Sequence, residues 1–438
     1  MNALAEELNT SLEGTVAYRL LADMGRRMYF PKGILSQSAE AGQRAHRFNA
    51  TIGMACREGG EPLILSSIRE GLASLSPTEA VAYAPTDGIR ALRNRWREEI
   101  VAKNPGLKGK SFSVPVVVPG LTAAISYLAD LFIEPGDTVV VPDLHWPNYR
   151  LIVEERKMAA GLSYPIFVPE SEASGPGRFN IAGLEARLRE AGARRGKAVA
   201  ILNFPNNPTG YSPTEEEAAQ IVEALKRVAR EGTDLLVICD DAYFGLQYEK
   251  GLIKESLFSR LVDADSRILA VKADGPTKEE FVWGFRLGFI TFGGQGLCEK
   301  HYDALVKKLM GVIRSSVSNS SAPVQHLLLK ALDAKSHKPE KAAYRELLAE
   351  RYTLVRAFLD GHKLPATLRV LPFNSGYFMS FECVGISAEA LRERLLEEGI
   401  GTISLQDRYL RVAFSSVEAK DIEALYAAIF AAAAELGA

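Results

Sequence analysis

From residue 114 onward, for roughly 180 residues, short apolar runs rich in β-branched side chains alternate with longer amphipathic segments. The runs fall at 114–118, 138–141, 198–202, 235–239, 268–271 and 287–292. This rhythm predicts an α/β fold, with a three-layer large domain whose mostly parallel sheet is covered by helices. Past residue 325 it gives way to long helices and antiparallel-looking runs: a charged helix at 345–360, runs at 369–371 and 376–381, a helix at 388–398, a run at 409–414 and a closing helix. That pattern predicts a smaller α+β domain. Before the alternating region, residues 1–50 carry helical spacing broken by Tyr29-Phe30-Pro31-Lys32-Gly33, and an amphipathic helix is expected at 63–75. The expected division is therefore 1–60 as an N-terminal arm and part of the small domain, 61–325 as the large domain and 326–438 as the C-terminal small domain. A chain of 438 residues with 47% hydrophobic side chains can bury more than one core.

Most of the strand candidates end in unusual chemistry. The first runs into Pro119-Gly120-Leu121-Thr122, the second into His145-Trp146-Pro147-Asn148-Tyr149, and the third into Asn203 and then Asn206-Asn207-Pro208-Thr209-Gly210. The fourth meets Asp240-Asp241-Ala242-Tyr243, and the fifth leads to Lys278. Ligands of open α/β sheets bind outside the carboxyl ends of the strands, so all five sets converge on one rim.

The charge balance narrows the partners. Lys and Arg number 52 against 54 for Asp and Glu, and a net charge of −2 implies no strong attraction to nucleic acid or to an anionic membrane. Cys56, Cys239, Cys298 and Cys383 are widely spaced, which fits core thiols of a cytoplasmic protein better than a zinc site or a disulfide framework. The first residues lack the basic start and apolar run of a signal peptide, and no apolar stretch reaches the ~20 residues that span a bilayer. A small-molecule partner is the expectation.

Lys278 offers an amine that can form an imine with a carbonyl compound, and Arg286 offers a guanidinium fork for an anion. Gly120, Leu121 and Thr122 open a helix whose free amides attract phosphate. Trp146, just past a strand, can present its face to a flat ring. Asp240 stands at the buried mouth of a strand, where a carboxylate needs a cationic partner such as a protonated ring nitrogen. Asn207 and Tyr243 are hydrogen-bonding groups that could reach a phenolate oxygen on the same ring. Each element alone is ordinary, since Asn-Pro-Thr-Gly is also plain turn chemistry. If Lys278 were not the reactive amine, Lys272 would be the next to consider.

Together these residues resemble the class I/II aminotransferases, pyridoxal-phosphate enzymes of fold type I similar to aspartate aminotransferase. The likeness spans most of the chain and rests on Lys278 with Gly284, Arg286 and Gly288, on Asn207 to Gly210, and on Asp240 to Tyr243. It implies that Lys278 carries pyridoxal 5'-phosphate as a Schiff base, with Arg286, Gly120, Leu121 and Thr122 on the phosphate and Trp146 on the ring. It further implies that Tyr83, in Tyr-Ala-Pro-Thr-Asp-Gly, reaches the phosphate of a neighbouring subunit in a homodimer, that Arg411 binds the substrate carboxylate, and that Gly53 contributes a backbone contact beside it. The expected activity moves an amino group between an amino acid and a 2-oxo acid. An eliminating enzyme such as a C–S β-lyase on the same scaffold is the alternative, because fold and cofactor do not fix the reaction. A cofactor-sensing regulator ranks last.

The chain departs from the family pattern at several positions. Tyr149 stands where aspartate aminotransferases have a histidine, and Gly275 replaces a common serine, with Thr277 able to supply the hydroxyl. Glu279 and Glu280 directly follow the lysine. His326 is counted at the place of an arginine found in dicarboxylate-specific members, which weighs against a strict aspartate enzyme.

Overall fold

The computed structural model describes residues 1–13, 15, 21, 23–27, 34–51, 53–57, 61–169 and 177–438. The Tyr29-to-Gly33 break and Ile52 lie outside them. The expected arm is helical where described, with helices Ala3–Leu12, Asp23–Arg27 and Ile34–Arg44. Gln37 docks the last of these, its amide donating to Ser404 O (3.1 Å) and its carbonyl accepting from Ser404 N (2.8 Å).

In chain order the strands are β1 (Phe48–Asn49), β2 (Val116–Val118), β3 (Thr138–Pro142), β4 (Ala160–Tyr164), β5 (Lys197–Asn203), β6 (Asp234–Asp240), β7 (Ile268–Asp274) and β8 (Gly288–Gly294). All but β1 form one seven-stranded sheet in the order β2-β8-β7-β6-β5-β3-β4. The pairs from β7 through β6, β5 and β3 to β4 are parallel. β8 runs antiparallel to both its neighbours, β7 and β2. The reason lies in the connection. Between β7 and β8 there is only a helical turn, Pro276–Glu279, and a 3-10 turn, Trp283–Phe285, too little for the helix that normally carries a parallel crossover. The chain therefore turns back at the carboxyl end of β7, and Lys278 and Arg286 both sit on the connection at that rim.

Strand β4 was not apparent in the sequence. Ala-Gly-Leu-Ser-Tyr has no β-branched residue and is mostly exposed, as an edge strand can be, so its pairing with β3 comes from position rather than propensity.

Side chains alternate across the central strands. Val117, Val140, Ala198, Ala200, Leu235 and Val237 pack on one face, with helices Arg90–Lys103, Ile181–Arg195 and Glu215–Arg230. Val116, Val118, Val139, Val199, Ile201 and Ile238 pack on the other, under helices Leu121–Phe132 and Glu299–Ser316. With both faces covered, the strands read as unbroken apolar runs, which is why they stood out in the sequence.

A second unit holds β9 (Leu368–Val370), β10 (Met379–Cys383), β11 (Ile400–Gly401), β12 (Ile403–Leu405) and β13 (Tyr409–Val412). Four of them form an antiparallel sheet in the order β12-β13-β10-β9, and β11 pairs in parallel with β1. The run expected at 376–381 begins as a turn, with Gly376 at φ 75°, and becomes strand only at Met379. The charged helix starts earlier than its spacing indicated. It spans His337–Gly361, 25 residues, and buries Leu348, Val355 and Phe358.

Among the described residues no disulfide, metal-binding cluster or helix long and apolar enough to cross a membrane is present. At the rim, β8 begins with Gly288 opposite Val118, and a Cβ added to Gly288 would lie 2.9 Å from the backbone carbon of Gly120. Backbone meets backbone there, and neither side can yield cheaply. Gly288→Ala is therefore expected to lower unfolding stability by about 1–3 kcal/mol, read as a reduced urea midpoint at unchanged m-value.

Candidate active site

The ends of β2, β3, β5, β6 and β7 surround a cavity of about 180 Å³ lined by Leu121, Thr122, Trp146, Asn203, Asn207, Asp240, Ala242, Tyr243, Thr277, Lys278 and Arg286. Nine of the residues singled out in the sequence meet in this space.

Lys278 projects from the single turn Pro276–Glu279, and its amine lies 4.8 Å from the ring centroid of Tyr243. Burial pushes its pKa down to about 8; Asp240 opposes the shift and Arg286 adds to it. An amine so placed gives up its proton more readily than an ordinary lysine, and the neutral form is the one that imine formation and base catalysis use.

Asp240 ends β6 and is 4% exposed. Burial raises its pKa, while a hydrogen bond from Tyr149, the charge of Lys278 and the Ala242 amide (3.1 Å) draw it back. Tyr149 thus fills the place of the histidine by donating its hydroxyl to Asp240 Oδ2. Its ring lies parallel to His145 at 5.9 Å between centroids and edge-on to Trp146 at 5.5 Å. The helix carrying it opens with one α turn, Asn148–Arg150, and continues as π-helix over Leu151–Arg156, a winding often found beside functional sites.

Two corners, each carrying an arginine, flank this pair. At the first, Gly120 has φ 87° and opens helix Leu121–Phe132, whose first amides lack intrahelical partners. A Cβ on Gly120 would lie 2.7 Å from Arg286 Nη2, so the guanidinium rests directly over the glycine. Arg286 itself holds a left-handed φ of 49° and is exposed, donating only a long bond to Trp283 O (3.4 Å) among the described residues. Gly275 has no space for a serine, because a Cβ there would lie 2.9 Å from Leu287 O and 3.0 Å from Leu121 Cδ1. Thr122 and Thr277 line the cavity, and the Thr277 hydroxyl lies 3.5 Å from Leu287 O.

At the second corner, Arg411 on β13 is 2% exposed. Its Nη2 donates to Thr51 O (3.0 Å) and its Nη1 to Asn207 Oδ1 (3.2 Å), and the guanidinium lies 4.3 Å from the centroid of Phe378. Its Nε is buried and, among the described residues, unpartnered, and burial pushes its pKa down to about 10. A buried guanidinium without a carboxylate is costly, and an anionic ligand would relieve the cost. Gly53 is adjacent, where an added Cβ would lie 3.4 Å from Phe378 Cζ and 3.9 Å from the Tyr243 hydroxyl.

The remaining positions lie elsewhere. Tyr83 is 93% exposed and does not line the cavity. His326 is on helix Ala322–Asp333 with its Nδ1 3.6 Å from Glu79, also away from the cavity. Lys272 is fully buried against Asp241 and Asp274. Burial opposes its charge, but the two carboxylates outweigh it and raise its pKa, so it remains an ammonium and is unfit to form an imine. Asn203 was seen in the sequence only as a residue at the rim, without a role, and Phe378 was not recognised there. Asn203 donates to Asp240 O (2.8 Å) and accepts from Asn207 N (2.8 Å), and its one signal was a polar residue closing an apolar run. Phe378 had no local signal, because it reaches Arg411 only through the packing of β10 on β13.

The profile of the family "Aminotransferase class I and II" matches residues 55–429. The aspartate/prephenate aminotransferase of Thermus thermophilus is 27% identical over 330 residues, covering 73% of this chain and 74% of that protein. In structure, the chain is similar to an aminotransferase from Anaerococcus prevotii, with a TM-score of 0.83 at 20% identity over 96% of this chain and 100% of that one. It is also similar to an aspartate aminotransferase from Thermus thermophilus solved with maleate, with a TM-score of 0.74 at 21% identity over 94% and 99%. These likenesses show a shared fold, and the profile covers nearly the whole chain. The protein therefore belongs to the class I and II aminotransferases.

Proposed function

We propose that this aminotransferase works through Lys278 with pyridoxal 5'-phosphate as its cofactor, in a homodimer whose subunits share their sites. The observation that carries the reading is a buried amine of lowered pKa facing a buried carboxylate, with an open arginine at one side and a buried, incompletely bonded arginine at the other. The residues fit the group. Arg286, the amides after Gly120 and the hydroxyls of Thr122 and Thr277 suit a phosphate. Asp240 suits a protonated ring nitrogen, Trp146 a ring face, and Asn207 and Tyr243 a ring oxygen. When bound, the cofactor supplies an electron sink for negative charge at the substrate α-carbon.

The protein's own part is to hold, orient and move a proton. Lys278 would hold the cofactor, and its Nζ, once freed, would serve as the base that takes the proton from the substrate α-carbon. Arg411 fixes the α-carboxylate through Nε and Nη, and such orientation is worth several kcal/mol. Tyr149 keeps Asp240 ionised in a buried setting that favours its neutral form. Tyr83 would reach a second copy of the chain, a reading supported by its exposure together with Val81. L-Aspartate and 2-oxoglutarate are the first pair to test, given the names of the relatives; His326 does not line the cavity of its own chain.

L-Aspartate should convert the visible absorbance of the loaded protein to that of the aminated cofactor, and 2-oxoglutarate should restore it; stoichiometric release of thiol, pyruvate and ammonia from an S-substituted cysteine would instead mean elimination. Borohydride should attach the cofactor permanently to the wild type and not to Lys278→Ala, and a permanently labelled variant would refute the assignment. Arg411→Met should raise KM for the amino acid by roughly 10- to 100-fold, the loss of a charge-assisted hydrogen bond worth about 1.5–3 kcal/mol, while cofactor retention is unchanged. Tyr149→Phe removes a bond that lowers the Asp240 pKa, so Asp240 should become protonated at higher pH. The acidic limb of the kcat/KM profile should move up by roughly one pH unit, and an unmoved limb would remove Tyr149 from this role.

A further inference from the structure

Glu279 and Glu280 do not line the cavity; they lie behind it. Glu280 is fully buried, with Oε2 2.6 Å from His337 Nε2 and Oε1 2.6 Å from Lys341 Nζ. Glu279 Oε1 accepts from the same Lys341 (2.8 Å) and pairs with Lys103 at 2.9 Å. Lys103 ends helix Arg90–Lys103, lies 3.8 Å from Glu99 and sits 5.1 Å from the ring centroid of Trp96. His337 and Lys341 belong to the first turns of helix His337–Gly361. Glu279 and Glu280 thus pair with Lys103 and Lys341, and the imidazole adds one more bond to the lysine turn.

The same helix also reaches the other side of the site. Arg351, 3% exposed, donates to Cys56 O (2.5 Å) and to Ser415 O. Cys56 closely follows Gly53, and Ser415 closely follows Arg411. Tyr377 adds a bond from its hydroxyl to Lys278 O (3.1 Å). One continuous helix is therefore bonded to the turn that carries the amine and to the two segments that form the carboxylate corner. The charges acting on the Lys278 amine are those of Asp240 and Arg286, so the cluster behind it governs position rather than protonation.

We propose that Glu280 is a positioning residue that latches the Lys278 turn to helix His337–Gly361, so that the amine and the Arg411 corner keep one relative geometry. The proposal rests on the assignment of Lys278 above. A turn of four residues has too few internal bonds to hold itself, and a misplacement of about 1 Å can cost up to 100-fold in rate. Hydrogen bonds to two different side chains, both anchored on a long helix, supply the missing restraint.

Glu280→Gln keeps the volume and removes the charge. Should it not fold, His337→Gln removes the imidazole that holds Oε2 and serves in its place. With L-aspartate and 2-oxoglutarate, kcat should fall roughly tenfold with KM, cofactor affinity and the pH midpoint of the rate unchanged. In the cofactor-free protein, amide exchange of residues 275–288 should quicken roughly tenfold while peptides from β5 and β6 keep their protection. A lower Tm with kcat and local exchange unchanged would show a merely structural cluster and overturn the proposal. A shifted pH midpoint would show that the cluster acts on protonation and would overturn it as well. If borohydride labelled a residue other than Lys278 in the wild type, the reading beneath would fail on its own, while exchange in the cofactor-free protein would still decide whether the latch exists.

Discussion

An amine and a carboxylate buried at the end of one sheet, together with a guanidinium buried on a second sheet, form an arrangement that a folded chain sustains only at a cost. Burial lowers the pKa of Lys278 and of Arg411 and raises that of Asp240, in each case toward the neutral form. The surrounding structure serves to keep these groups charged or chargeable where they stand. Tyr149 and the Ala242 amide hold the carboxylate, Thr51 and Asn207 hold part of the guanidinium, and the rest is left for ligand.

The reversal of β8 makes that gathering possible. Because β7 and β8 are antiparallel, their connection stays at the rim, and the Lys278 amine and the arginine over Gly120 are presented together. The close backbone contact of Gly288 with Gly120 closes the same corner from beneath. A helix-length crossover at this point would have carried Arg286 away from the rim. The glutamates that follow the lysine extend the construction backward, since they tie the turn into a buried cluster instead of leaving it as a free loop.

A buried lysine close by illustrates how environment selects among similar groups. Lys272 and Lys278 are six residues apart along one strand and its exit. Lys272 is enclosed by Asp241 and Asp274 and stays charged, whereas Lys278 faces a cavity, with one carboxylate and one guanidinium acting on it in opposite senses. The first contributes to the core, and the second is available for chemistry.

Local spacing was enough to locate the strands buried on both faces, the rim where they end and most of the residues found there, because strand period, glycine turns and a polar residue closing an apolar run are written within a few neighbouring positions. It also supported the family resemblance, which rests on short motifs. What only the tertiary structure decided were relations across long stretches of chain: the strand order with β8 reversed, the edge strand β4, the bond from Tyr149 to Asp240 and the contact of Arg411 with Asn207 and Phe378. The meaning of Glu279 and Glu280 belongs here too. In sequence they were an anomaly beside the lysine, and they became a latch only when folding brought His337 and Lys341 against them. Tyr149 and Asp240 are 91 positions apart, and Glu280 and His337 are 57 apart. No periodicity connects such pairs; they meet because a sheet and a long helix place them at one point, where burial makes a partner obligatory.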